Sequence, residues 1–138
     1  MWAELENGDR IEGESAIGNA RLPIMRIGCY PSRPPALPRA LEAIRNAEII
    51  LIGPGSLYTS ILPNLLVPEI VEAIENSKAP KLYICNLMTQ PGETDGLDVS
   101  GHVRAVEAQL ASIGITRKIF SSILAQAELE PSPLVDYC

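Results

Sequence analysis

The sequence predicts an α/β fold whose central sheet is mostly parallel and Rossmann-like, in a three-layer arrangement. Two short apolar segments, 49–52 and 81–85, have the length of buried strands, and each runs into a polar loop that contains glycine. Helix-forming segments precede, separate and follow them. Because helices that alternate with strands connect parallel neighbours, this order is typical of a parallel sheet with crossover helices. With 138 residues, the chain is predicted to form a single domain, residues 1–138.

The first thirty or so residues are predicted to form a β-rich segment. Two candidate strands, 2–6 and 10–14, flank Asn7-Gly8, and this dipeptide is a strong signal for a hairpin turn. A third candidate strand covers 22–30, and the proline-dense stretch behind it favours a rigid connector over regular structure.

The later elements are predicted from apolar spacing, from prolines that open helices and from glycines that end them. The predicted helices cover 38–46, 56–62, a segment from Pro68, and 100–113. The predicted strands cover 49–52, 81–85 and 118–124. Pro63 is expected to end the short second helix, and Gly114 is expected to end the last one.

Composition and charge argue against several classes of protein. Hydrophobic residues make up 46% of the chain and the formal net charge is −6, so a nucleic acid is not an expected partner. Cys29, Cys85 and Cys138 are an odd number of widely spaced cysteines, and we expect no secretory leader. Such thiols are typical of a reducing compartment, and we expect a cytoplasmic protein.

The segment 49–68 carries no charged residue over about the length that spans a bilayer. Its glycines and prolines would leave backbone groups without hydrogen bonds in lipid, so no membrane insertion is expected. If this apolar stretch is left uncovered, it favours association of the chain with copies of itself. A homo-oligomer is therefore among the expected partnerships.

Two loops, 53–64 and 86–96, follow consecutive predicted strands, and ligands of parallel sheets bind at the carboxyl ends of the strands. Glycines let a ligand approach the backbone, and hydroxyl and amide groups offer hydrogen bonds without charge. In the first loop these groups fit a phosphate or a sugar, and equally a tight turn with Ser56 as helix N-cap. In the second loop they fit a sugar or the edge of a base. The candidate ligand-binding residues are Gly53, Pro54, Gly55, Ser56, Tyr58, Thr59, Ser60, Asn64, Asn86, Met88, Thr89, Gln90 and Gly92.

Several side chains keep two interpretations. Tyr58 fits stacking on a base or sugar and also a plain wall position, and Asn64 needs a partner that is either ligand or backbone. Glu93 and Asp95 are the paired carboxylates of the loops, and they fit either Mg²⁺ held against a pyrophosphate or a solvated turn. His102, the single histidine, fits a structural or capping role better than that of a base. Cys85 is predicted to be a buried thiol and not a nucleophile.

Two long stretches, GPGSLYTSILPNLLV at 53–67 and CNLMTQPGETDG at 85–96, resemble characteristic segments of the YvcK family. Its proteins are called gluconeogenesis factors or uridine-diphosphate-sugar-binding proteins, and they are similar in fold to CofD, the 2-phospho-L-lactate transferase. Shorter similar stretches lie at 12–17 and 102–103, so the resemblance covers roughly residues 2–112. Family members begin with a glycine-rich turn of the Gly-Gly-Gly-Thr-Gly type. Nothing here corresponds to that turn, so we expect a fragment that carries the second half of the family pattern.

The resemblance implies a protein that binds a nucleotide-sugar, in the first place a uridine-diphosphate (UDP) sugar, and that regulates without catalysing. It also implies roles in carbon metabolism, cell-wall precursor supply and cell shape. The alternative that it implies is an enzyme of the CofD type, which moves a phospholactyl group from a nucleotide-activated donor. Mg²⁺ is the one cofactor considered, and a nucleotide or nucleotide-sugar is the expected partner.

Overall fold

The computed structural model describes residues 1–127, and its strands form two separate three-stranded sheets. The N-terminal sheet consists of β1 (Trp2–Leu5), β2 (Arg10–Glu12) and β3 (Ile24–Gly28), in the order β2-β1-β3 with antiparallel neighbours. Its hairpin turn is fixed by the Asn7 side chain, whose Oδ1 accepts the Asp9 amide at 3.0 Å. The predicted β-rich segment is confirmed, and it forms a sheet of its own.

The second sheet is parallel and consists of β4 (Ile50–Ile52), β5 (Lys81–Ile84) and β6 (Ser122–Leu124), in the order β4-β5-β6. Ile52 lies beside Tyr83 in the register of the first two strands. Because the three strands point the same way, the loops that follow β4 and β5 leave from the same edge of the sheet. The predicted α/β class with a parallel sheet is confirmed.

Strand β4 corrects one expectation. The apolar stretch at 49–52 is predicted as a buried strand, but β4 lies at the edge of its sheet. Ile50 and Ile52 are buried, whereas Leu51 points to the opposite face and is 53% exposed. A short apolar run therefore does not distinguish a strand covered on both faces from a strand covered on one.

Five α-helices lie within the described residues. Their ranges are Glu14–Ile17 (α1), Pro38–Arg45 (α2), Leu62–Leu65 (α3), Pro68–Asn76 (α4) and Val99–Ser112 (α5). A π-helical turn, Leu57–Ile61, leads directly into α3. The expectation that Pro63 ends the short helix is wrong: Pro63 lies in the first turn of α3, where its missing N–H has no helical partner to lose. Helix α1 is not predicted from the sequence.

Helix α5 connects the two sheets through one hydrophobic core. It follows β5 in sequence and packs against β3. The buried Gln109 makes this contact, because its Oε1 accepts the Ile27 amide at 2.9 Å and its Nε2 donates to the Ile27 carbonyl at 3.1 Å. Tyr83, on the buried face of β5, stacks on Phe120 with ring centroids 5.2 Å apart.

The uncharged stretch 49–68 folds into β4, the π-helical turn and α3, and ends at the first residue of α4. Within residues 1–127, no single helix has the length and apolarity needed to cross a membrane. The segments 57–65 and 68–76 meet that requirement only when taken together, and they are bent by 74°.

Candidate functional site

The loops that follow β4 and β5 lie against each other at the carboxyl edge of the parallel sheet. Gly53 makes this contact possible, because its φ is +92° and a Cβ there would lie 2.6 Å from the Ile84 carbonyl oxygen. A side chain at this position would collide with the end of β5 and would also strain the backbone. The glycine therefore sets how closely the two loops approach.

Asn86 bridges the two loops through its side-chain amide. Its Oδ1 accepts the Gly55 amide at 3.0 Å, and its Nδ2 donates to the Gly55 carbonyl at 2.9 Å. A second bridge runs from the Ser56 hydroxyl to Gln90 Oε1, at 2.7 Å. The loops are thus held in a fixed relative position by their own side chains.

Glu93 is a buried carboxylate, 6% exposed, that holds the start of the π-helical turn. Its Oε2 accepts the Tyr58 amide at 2.9 Å and its Oε1 accepts the Thr59 hydroxyl at 2.6 Å, while Gln90 Nε2 donates to the same Oε1 at 3.3 Å. A negative charge is favourable there, because the first amides of a helical segment have no partner within it. The Tyr58 amide, at the start of this helical turn, therefore binds the Glu93 carboxylate. The sequence alone also allowed a ligand phosphate in this position.

The carboxylates considered for Mg²⁺ both have partners within the protein. Besides the contacts of Glu93, Asp95 Oδ2 accepts the Gly92 amide at 2.7 Å. Among residues 1–127, no group of three or more His, Cys, Asp or Glu side chains could hold a metal ion. Within residues 1–127 these contacts use both oxygens of Glu93, whereas no hydrogen bond to Asp95 Oδ1 is described. The assignment to Mg²⁺ stays a prediction.

The two loops line an open concavity of about 370 Å³, formed by Pro54 and residues 86–91 and called the edge concavity below. Leu87 and Met88 are each 50% exposed on its wall. The fixed amides of Asn86 and Gln90 lie beside these apolar side chains. Apolar surface with a few oriented polar groups is the usual make-up of a small-molecule site.

Other candidate residues line two further spaces. Gly53, Ser60 and Asn64 border an apolar groove of about 350 Å³ between β4 and the helices α2, α3 and α4. Asn64 Nδ2 donates to the Ser60 carbonyl at 2.7 Å, so its amide has a backbone partner. The Thr59 hydroxyl is bound to Glu93, as described above. The structure thus distributes the sequence candidates over several adjoining surfaces.

Tyr58 and Gly92 border a third space of about 190 Å³, called the inner cavity below. Its lining residues are Ala20, Arg21, Leu22, Pro23, Ile24, Tyr58, Gly92, Glu93, Asp95 and Leu97. Tyr58 is 7% exposed. Burial raises the pKa of the Tyr58 hydroxyl above its ordinary value, and the neighbouring Glu93 raises it further. The hydroxyl therefore stays protonated and can donate a hydrogen bond near neutral pH.

Residues 20–24 of the inner cavity are missed by sequence reasoning. They precede the loop at 92–97 by some seventy positions and carry no motif. The one contact that marks them is at Gly92, where a Cβ would lie 2.9 Å from the Ala20 carbonyl oxygen. A glycine in a loop can indicate, from the sequence, that another segment approaches the backbone closely. It does not indicate which segment that is.

His102 and Cys85 are both buried side chains. His102 is fully buried in the first turns of α5, with Nδ1 3.0 Å from the Asp98 carbonyl oxygen, and Asp98 caps the helix by accepting the Gly101 amide. Burial raises the pKa of the Cys85 thiol; the Asn86 backbone lowers it and Asp98 raises it, with a net increase. A thiol with a raised pKa is a weak nucleophile at neutral pH.

Comparison with known proteins gives consistent matches. The family model described as "2-phospho-L-lactate transferase CofD" matches residues 1–137. A putative gluconeogenesis factor of Nostoc sp. is 54% identical over 124 residues, which is 90% of this chain and 26% of that protein. The gluconeogenesis factor of Bacillus subtilis is 48% identical over 110 residues, which is 80% of this chain and 35% of that protein.

A solved structure matches as well. The crystal structure of a UPF0052 family member from Bacillus halodurans is similar with a TM-score of 0.83 and 48% sequence identity, covering 94% of this chain and 40% of that one. The gluconeogenesis factor of Halalkalibacterium halodurans is 55% identical over 106 residues, which is 33% of its length. The chain thus spans between a quarter and two fifths of these relatives.

Proposed function

The chain belongs to the CofD family, and from this membership we propose that its two loops bind a nucleotide-sugar, most specifically a UDP-sugar, in a regulatory capacity. Curated relatives at about half sequence identity are named gluconeogenesis factors, which supports a link to carbon metabolism. The proposal extends that link to cell-wall precursor supply and to cell shape, because UDP-sugars are the activated precursors used there.

The observation that carries the proposal is the edge concavity. It lies at the carboxyl edge of a parallel sheet, which is where ligands of such sheets bind. Both loops contribute to it, and Asn86 and Gln90 are already fixed there by hydrogen bonds to Gly55, Ser56 and Glu93. Groups that are held before binding lose little freedom when a ligand arrives.

The chemistry of the concavity suits holding a ligand more than transforming it. A side-chain amide nitrogen carries two hydrogens, and the described contacts of Asn86 Nδ2 and Gln90 Nε2 each use one. The second hydrogen of each amide can bond a ligand oxygen without moving the bridge. The exposed Met88 adds an adaptable apolar surface for a base or a sugar face.

Calorimetric titration with UDP-N-acetylglucosamine, with and without Mg²⁺, tests the proposal. We expect saturable binding that weakens by roughly tenfold in Met88→Ala, since truncating one buried apolar contact of a ligand is worth on the order of 1–3 kcal/mol. Met25→Ala is the matched control, because Met25 is similarly exposed, at 59%, on β3 and outside the edge concavity. A flat trace from folded protein, or an equal loss in both variants, would contradict the proposal.

A CofD-type enzyme is the second candidate, favoured by the name of the family model that matches residues 1–137. It would move a phospholactyl group from a nucleotide-activated donor to an acceptor hydroxyl, with the nucleotide as leaving group and the hydroxyl proton passing to solvent. The exposed Asp95 separates the two candidates, because its replacement by Asn leaves the buried Glu93 contacts intact. Mg²⁺-dependent turnover that falls in Asp95→Asn and not in Glu107→Gln would support the enzyme. Absence of turnover when donor and acceptor are supplied together would argue against it.

A further inference from the structure

We infer that the inner cavity holds a single sugar ring or a similar neutral polyol. The inference deepens the proposed function and rests on it, because it gives the sugar of a nucleotide-sugar its own place. Pro91 lines the edge concavity and the next residue, Gly92, lines the inner cavity, so the loop after β5 borders both spaces.

The size of the inner cavity indicates a fragment of a ligand. It measures about 190 Å³, whereas pockets for whole drug-sized molecules measure roughly 300–1,000 Å³. Leu22, Pro23, Ile24 and Leu97 supply the apolar part of its lining. The C–H face of a sugar ring packs on such a lining, while its hydroxyls point to polar groups.

The Tyr58 side chain supplies a hydrogen-bond donor to the inner cavity. Tyr58 is more than nine-tenths buried and lines the cavity, and within residues 1–127 no hydrogen bond of its hydroxyl is described. Solvent reaches the hydroxyl oxygen, so a ligand oxygen can take the place of water there. Its raised pKa keeps it protonated, so it offers a donor to a ligand oxygen.

The charged groups around the cavity favour a neutral ligand with several hydroxyls. Glu93 and Asp95 supply carboxylate oxygens that accept hydrogen bonds, and Arg21 supplies a guanidinium that donates them. A simple cation would meet Arg21, and an anion would meet the two carboxylates. A polyol can donate to the carboxylates and accept from Arg21 and Tyr58 at the same time.

Amide-resolved NMR of the chain with free N-acetylglucosamine tests the inference. We expect saturable shifts of the Gly92 and Leu97 amides, and a dissociation constant about tenfold higher in Arg21→Ala, which loses a charge-assisted hydrogen bond. Tyr58→Phe keeps the ring and should weaken binding as well. Arg39→Ala, which removes an exposed arginine of α2, is the control and should change nothing. Absence of saturable shifts at these amides in the folded protein, or equal affinity in all variants, would overturn the inference.

A parallel titration with UDP, which lacks the sugar, separates this inference from the proposed function. If the monosaccharide binds at Gly92 and UDP does not bind at all, the inner cavity stands and the nucleotide-sugar proposal fails. If UDP and UDP-N-acetylglucosamine bind equally well and Arg21→Ala affects neither, the proposed function stands and the inner cavity does not hold the sugar.

Discussion

At the scale of single residues, the polar side chains of the two loops bind one another. Glu93 holds the Tyr58 amide and the Thr59 hydroxyl, and Asn86 holds both backbone groups of Gly55. These contacts join positions more than thirty residues apart, and they give the site a fixed shape before any ligand binds. Their first role is structural, and ligand recognition uses the bonding capacity that remains.

Replacing Glu93 by Gln should destabilise the fold by about 1–3 kcal/mol, because a buried donor is left facing an amide nitrogen instead of a carboxylate oxygen. Urea unfolding measures the change. Glu107→Gln is the control, since Glu107 lies exposed on α5 and should be neutral. Equal stability of the two variants would show that Glu93 does not hold the π-helical turn.

Ionisation of Tyr58 is expected to lower the stability of the fold at alkaline pH. Its pKa is raised in the folded protein above the ordinary value of 10.0, first by burial and then by Glu93. The folded state therefore binds the hydroxyl proton more tightly than the unfolded chain does. The stability that the protonated Tyr58 contributes is complete below pH 10.0 and is lost as the pH rises through the folded pKa. In Tyr58→Phe the free energy of unfolding should fall less steeply above pH 10.0 than it does in the original chain. Tyr30→Phe, which alters an exposed tyrosine, should follow the original chain, and the prediction fails if both variants behave alike.

The sequence indicates which residues belong to the loops but not how they pair. Asn86 and Gln90 are predicted as polar groups past a strand end, and the structure places them there. Their partners, Gly55 and Ser56, follow from the register of β4 and β5, which the sequence of a single loop does not contain. The two interpretations of Glu93 stay open for the same reason, since its burial depends on a distant segment.

At the scale of elements, proline and glycine rules predict most boundaries correctly. Pro38 and Pro68 open α2 and α4, and the strands β4, β5 and β6 lie where apolar segments predict them. The π-helical turn is not predicted, because its amides bond one residue further back than in an α-helix and no residue type marks that pattern. It is stabilised by Glu93, which comes from another loop.

Gly53→Ala should cost more stability than a change of backbone conformation alone. Both Gly53 and Gly13 have φ above +90°, but a Cβ at Gly53 would lie 2.6 Å from the Ile84 carbonyl oxygen, whereas nothing lies within 4 Å at Gly13. We expect about 1 kcal/mol for Gly13→Ala from strain, and a clearly larger loss for Gly53→Ala. Thermal unfolding of the two variants compares them directly, and similar midpoints would show that the loops do not need this close approach.

At the scale of the whole molecule, two small sheets share one core through α5. The parallel sheet has an edge strand, β4, in which Leu51 is exposed, and Ile49 just before it is exposed as well. The α/β class follows from sequence because alternating helices and strands require it. The separation into two sheets does not, since strand pairing is a long-range property. The relatives of this chain are about two to four times longer.

Self-association of the chain stays a prediction at this scale. An uncovered apolar edge strand should pair with a second copy as the concentration rises. Light scattering should then show a rising mean mass, and Leu51→Lys should reduce it. Leu37→Lys, at a similarly exposed leucine outside the sheet, is the control. A strict monomer at all concentrations would contradict this prediction.

The central claim is that both loops form one ligand site, and amide-resolved NMR during a titration with UDP-N-acetylglucosamine tests it most directly. Gly55 reports on the loop after β4 and Gln90 on the loop after β5. Each is hydrogen-bonded to the opposite loop, Gly55 to Asn86 and Gln90 to Ser56. We predict that both amide signals shift together and follow a single dissociation constant. Shifts confined to one loop, or to residues away from the edge concavity, would contradict the account.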